Sequence, residues 1–211
     1  QSIVVFYMFE ILFPFAIATF ILAISPGPDN IFVLTQSIVN GKKFGLATVF
    51  GLMTGCILHT SFVAFGVSAI IRDNERIFLI IKIVGASYLL YLAFKVYKSD
   101  ANIVLSGTAK KNQSVFQLFK KGFLMNVLNP KVTTFFLAFF PQFLFSDAIS
   151  IVLQFYILGA IFIAISFSVF STIAILAGSI SNYLRAFSKI EKLLKWGQII
   201  VFVFISLMIL L

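Results

Sequence analysis

Long apolar runs separated by short polar connections dominate the chain. Ile11 to Val39 carries a single charge, Asp29, in its interior; Phe44 to Ile71 carries none; Ile77 to Val96 carries only Lys82 and Lys95, towards its ends. Beyond the polar connection from Lys98 to Lys121, Gly122 to Phe145 again carries one charge, Lys131, Ala148 to Leu184 carries none, and Trp196 to Leu211 closes the series. A helix rises about 1.5 Å per residue and the hydrocarbon layer is about 30 Å thick, so roughly 20 apolar residues cross it. The pattern predicts an all-α integral membrane protein with six transmembrane helices.

Two runs are interrupted by proline. The first contains Ser25-Pro26-Gly27-Pro28-Asp29-Asn30, and the fourth contains Asn126-Val127-Leu128-Asn129-Pro130-Lys131, with Pro141-Gln142 further on. Proline lacks an N–H and disfavours helix at the residue before it, and Gly27 adds backbone freedom, so the first and fourth helices are expected to break there. Lipid cannot satisfy the backbone groups such a break frees, so breaks belong in a cavity lined by protein or water. The positive dipole end of the second half-helix and the Asp29 carboxylate then share one place, which suits a small zwitterion or ion. Asp29 as a plain N-cap is the alternative. A carboxylate at membrane depth costs roughly 2.5 kcal/mol or more, however, and a serine would cap without that cost.

Each half of the chain opens with a broken helix carrying one charge and continues with a helix striped by small residues. In the second run the stripe is Ala47, Gly51, Gly55 and His59; in the fifth it is Ala160, Ala164, Ser168 and Thr172. Residues four apart share a helix face, and small ones let backbones approach closely in lipid. The expected organisation is two inverted three-helix repeats, 1–97 and 122–211, joined by a cytoplasmic loop, 98–121. His59 lies on the packed face, either satisfied by a neighbouring helix or acting on substrate or protons. Ser166, Ser168, Ser171 and Thr172 line the path or bond to their own helix backbone.

A mean hydropathy of +1.09, with 61% hydrophobic and 11% charged residues, excludes a soluble domain. The net charge of +9 does not point to nucleic acid. Most of the sixteen basic residues lie at alternate connections, Lys42–Lys43, Lys95 to Lys121 and Arg185 to Lys195, which the positive-inside rule places in the cytoplasm with both termini on the outer side. One cysteine, Cys56, and one histidine provide no disulfide, no thiol redox pair and no zinc site, so neither metal nor cofactor is expected. Gln1 to Glu10 has no basic n-region, which argues against a cleavable signal peptide. One mid-membrane carboxylate and one histidine do not assemble a nucleophile, base and oxyanion site, so no enzyme is expected.

The chain resembles the LysE/RhtB family of bacterial amino-acid exporters over essentially its whole length. The motifs carrying the resemblance are Ser25 to Asn30, the turn Gly41 to Ala47, Gly85 to Leu92, Gly122 to Lys131 and Phe139 to Phe143. The resemblance implies a six-helix translocator of the bacterial inner membrane, dimeric, exporting amino acids or close derivatives on the proton motive force. The neutral homoserine and threonine type leads among its substrate classes. Many relatives place Asp or Asn where this chain has Cys56, so a relative's substrate preference does not transfer directly.

On this basis the candidate substrate and proton groups are Asp29, Asn30, His59, Asn126, Asn129, Lys131 and Gln142, and the helix-break residues are Ser25, Pro26, Gly27, Pro28, Pro130 and Pro141. Asp29 is expected to take a substrate ammonium, and Asn126, Asn129 or Lys131 its carboxylate. A static Asp29 to Lys131 pair and a passive pore for small solutes are the competing readings.

Overall fold

A computed structural model describes residues 2–25, 27–73, 75–98, 113–146, 148–177, 179 and 188–210. Pro26 and Asp147 lie outside the described residues, as does most of the 98–121 connection, 99–112. The described residues are almost entirely helical. They form α1 (Ser2–Ile24), α2 (Pro28–Asn40), α3 (Lys42–Phe62), α4 (Ser68–Asp73), α5 (Glu75–Lys98), α6 (Val115–Val127), α7 (Pro130–Thr134), α8 (Ile151–Ile175) and α9 (Ser188–Leu210).

Two π-helical turns, Val63–Val67 between α3 and α4 and Phe135–Phe139 after α7, keep their segments continuous, and a 3-10 turn, Phe140–Phe143, contains Pro141. Lys42–Ile71, Arg76–Lys98 and Ile151–Ile175 are long and apolar enough to cross a membrane. Two further pairs bend at short breaks, α1 to α2 by 55° and Val115–Val127 to Pro130–Phe143 by 48°. Counting each bent pair as one span gives up to five, and Lys195–Leu210 is a shorter apolar helix.

The local chemistry at the breaks accounts for where helices restart. Pro28 and Pro130 occupy the first turns of α2 and α7, where a missing N–H costs nothing. Gly41, at φ 97°, ends α2 and allows α3 to start at once in a conformation other residues rarely adopt. α6 begins with a capping box, Ser114 Oγ accepting from the Gln117 N–H while Gln117 Oε1 accepts from the Ser114 N–H. The helix therefore starts inside the segment read from sequence as connecting loop.

Packing is closest between α3 and α6. A methyl group added to Gly51 would overlap the Phe119 carbonyl oxygen, and one added to Gly122 would overlap the Thr48 carbonyl oxygen, so the two backbones touch at both places. The stripe Ala47, Gly51, Gly55 and His59 is buried. The second stripe behaves differently: Ala160, Ala164, Ser168 and Thr172 are exposed on the outside of α8. The inner face of α8 is instead Phe155, Leu158, Gly159, Phe162, Ser166 and Phe170. Every face of α8 is apolar, so its sequence offers no contrast that would orient it.

The core is aromatic. Phe15, Phe135, Phe136, Phe139 and Phe140 are fully buried and, with Phe143 and Phe162, stack edge to face or tilted across α1, the turns after α7, and α8. Large apolar side chains such as Phe50, Phe65, Ile80, Val84 and Phe204 stand outward, as a lipid-facing surface requires. α5 and α9 pack together, joined by the Ser206 hydroxyl donating to the Ala86 carbonyl at 3.1 Å.

Candidate functional site

The two breaks meet inside the bundle. Asn129 Nδ2 donates to Asp29 Oδ2 at 2.8 Å, and Asn129 Oδ1 accepts from the Lys131 backbone N–H at 3.1 Å, capping α7. One side chain thus starts one helix and holds the carboxylate at the start of another. Asp29 sits in the first turn of α2, where the helix dipole favours negative charge by about 0.3–1 kcal/mol.

Breaking the chain after α1 also frees its last carbonyls, and two polar side chains near the break serve them. Asn30 Nδ2 donates to Ala23 O at 2.8 Å, and Lys131 Nζ reaches Leu22 O at a long 3.5 Å. The ammonium also lies 5.3 Å from the centre of the Phe202 ring, a cation–π contact from α9. A positive charge at the C-terminal end of α1 and a negative one at the N-terminal end of α2 each complement the local dipole. Among the described residues Asp29 and Lys131 form no direct ion pair, although both line one cavity.

That cavity has a volume of about 30 Å³, room for about two waters by the usual allowance of roughly 10–15 Å³ each. Its wall includes Gly27, Pro28, Asp29 and Asn30 from the first break, Asn126, Asn129 and Lys131 from the second, Met53 and Cys56 from α3, and Phe162, Ser166 and Phe170 from α8. Asp29 Oδ1 and Ser166 Oγ are buried with no hydrogen-bond partner. A buried, unpartnered carboxylate oxygen costs about 1–3 kcal/mol or more, and a donor entering the cavity would relieve it.

The other residues singled out from sequence take separate places. Asn126 lines the cavity but is engaged with α3, its Nδ2 lying 3.4 Å from Cys56 Sγ. His59 Nε2 lies 3.2 Å from the Asn126 carbonyl oxygen and its ring stacks on Phe136 at 5.3 Å, so it faces the α6 break without lining the cavity. Gln142 donates to Ala138 O of its own helical segment at 3.2 Å and stays away from the cavity. Ser25 is buried beside the first break and its hydroxyl has no partner, while Pro141 is buried among the phenylalanines.

The sequence offers Ser166 only as one of four α8 hydroxyls that line the path or bond to their own helix, and it does not single out Phe162 and Phe170; the three recur at four-residue spacing, the signal that could have placed them on a single face. Nor does it single out Phe202, which lies in the apolar second half of α9.

The pattern described as LysE type translocator matches residues 20–211, covering both breaks, the cavity and α9. The chain belongs to that family. It is 31% identical over 187 residues to the homoserine/homoserine lactone efflux protein of Salmonella typhimurium, covering 89% of this chain and 90% of that one. The protein of the same name from Salmonella typhi matches to the same extent. No solved structure matches. The family and the apolar helices make the chain a multi-pass membrane transporter of the efflux kind.

Proposed function

We propose that the chain exports a small amino acid or close derivative of the homoserine type, binding it between the two helix breaks. The observation carrying this is the cavity in which Asp29 presents an unpartnered carboxylate oxygen and Lys131 an ammonium whose hydrogen bond to Leu22 O is long. A zwitterion supplies what both lack: its ammonium donates to Asp29 Oδ1, and its carboxylate draws Lys131 from the Leu22 carbonyl. Releasing that carbonyl frees the end of α1, which couples occupancy to movement of the break. Movement is needed, because about 30 Å³ holds waters and not an amino acid.

Six crossings in two inverted halves fit the packing. If α1–α2 exchanges with α6–α7, α3 with α8 and α5 with α9, the observed α3–α8 and α5–α9 contacts map onto themselves and α3–α6 maps onto α8–α1. The basic connections then face the cytoplasm and both ends of the chain face outward. Proton coupling enters through Asp29, the carboxylate at the centre of the site, which substrate and proton would occupy in turn.

Inside-out vesicles carrying a proton gradient test this. The wild type is expected to accumulate homoserine uphill, and Asp29→Asn to lose at least about tenfold of that uptake while reaching the membrane normally. Uptake by Asp29→Asn at the wild-type rate would remove the carboxylate from the mechanism. Equilibration without accumulation in the wild type would favour a passive pore.

A further inference from the structure

We infer that Ser166 is the specificity-determining residue of this site, its hydroxyl bonding to a polar atom on the substrate's own short side chain. This rests on the zwitterion site proposed above and concerns the part of the substrate that Asp29 and Lys131 leave free. Ser166 is 1% exposed, lines the cavity, and its Oγ has no hydrogen-bond partner.

Its neighbours on α8 show the ordinary fate of such a hydroxyl. Ser168 donates to Ala164 O and Thr172 to Ser168 O, each at 2.8 Å and each four residues back. Ser171 Oγ is also without a partner, but Ser171 is not part of the cavity wall. Ser166 alone on this helix combines a free hydroxyl with a place at the site.

Phe162 and Phe170, one turn to either side, line the same wall. The hydroxyl is thus a single polar point between two apolar side chains. A substrate with a second charge on its side chain would bury that charge without a partner there. A purely aliphatic side chain would leave Ser166 unsatisfied. A chain of a few carbons ending in a hydroxyl or carbonyl oxygen meets both conditions.

The test compares homoserine with norvaline, in which a methyl replaces the hydroxyl, using the whole chain in proteoliposomes. Wild type is expected to prefer homoserine. Ser166→Ala should lower kcat/KM for homoserine about three- to tenfold while leaving norvaline within about twofold. Ser166→Thr, which keeps a hydroxyl, should retain the preference. An equal loss on both substrates, or an unchanged preference in Ser166→Ala, would overturn the assignment. Should Ser166→Ala not reach the membrane, equal protection of the wild type against thermal unfolding by the two amino acids would overturn it as well. Asp29→Asn separates the two levels: normal transport of both substrates refutes the zwitterion site itself, whereas loss of both beside an unselective Ser166 refutes only the role given to Ser166.

Discussion

Asp29 and Lys131 each do two things at once, and their effects separate with the right substrate. Both complement a helix end, and both face the cavity. Homoserine carries an ammonium and a carboxylate, whereas its lactone keeps the ammonium and has no carboxylate. Lys131→Met is therefore expected to lower homoserine transport about tenfold or more and lactone transport by a clearly smaller factor, measured side by side in vesicles. Equal losses would leave Lys131 as a cap on α1 and nothing more. These two residues were legible in the sequence because each is the lone charge in an apolar run. Ser166 was legible only as one of four fifth-helix hydroxyls that line the path or bond to their own backbone, and nothing in the neighbouring residues marks it as the exception. Asn129 was visible as a candidate, but its double engagement, capping α7 while donating to Asp29, depends on a contact between residues a hundred positions apart.

Among the elements, the α3–α6 pair sets the position of the second break. Gly51 and Gly122 have no room for a side chain, since each faces a carbonyl oxygen of the partner helix. Gly51→Val or Gly122→Val should force the helices apart, a change expected to cost about 1–3 kcal/mol and often more against backbone. Lower melting temperature in detergent, with reduced yield in the membrane, is the expected result; a stability equal to wild type would mean that the helices do not approach this closely. The spacing of small residues on α3 revealed this face in advance. The same spacing on α8 pointed outward, because in a helix that is apolar all round a small-residue row marks a surface against another helix or a lipid-facing one equally well. Pro28 and Pro130 stand at the first positions of α2 and α7, and Gly41 stands between α2 and α3, whereas the π turns at Val63–Val67 and Phe135–Phe139 left no sign in residue type.

For the molecule as a whole, the proposed export requires the cavity between the breaks to open to one side and then the other, because its volume of about 30 Å³ admits no amino acid as it stands. The chain holds its own reporter. Cys56 is the single cysteine of the sequence, fully buried, on the cavity wall beside Asn126. A small, membrane-permeant methanethiosulfonate reaches it only when the cavity opens, and one adduct per chain is counted by mass. In proteoliposomes, Cys56 is expected to be labelled without substrate, as the empty cavity opens, and labelling to slow several-fold when saturating homoserine occupies the site. Labelling at the same rate with and without homoserine, or no labelling at all while homoserine is transported, would contradict a substrate path through the space between Asp29 and Lys131.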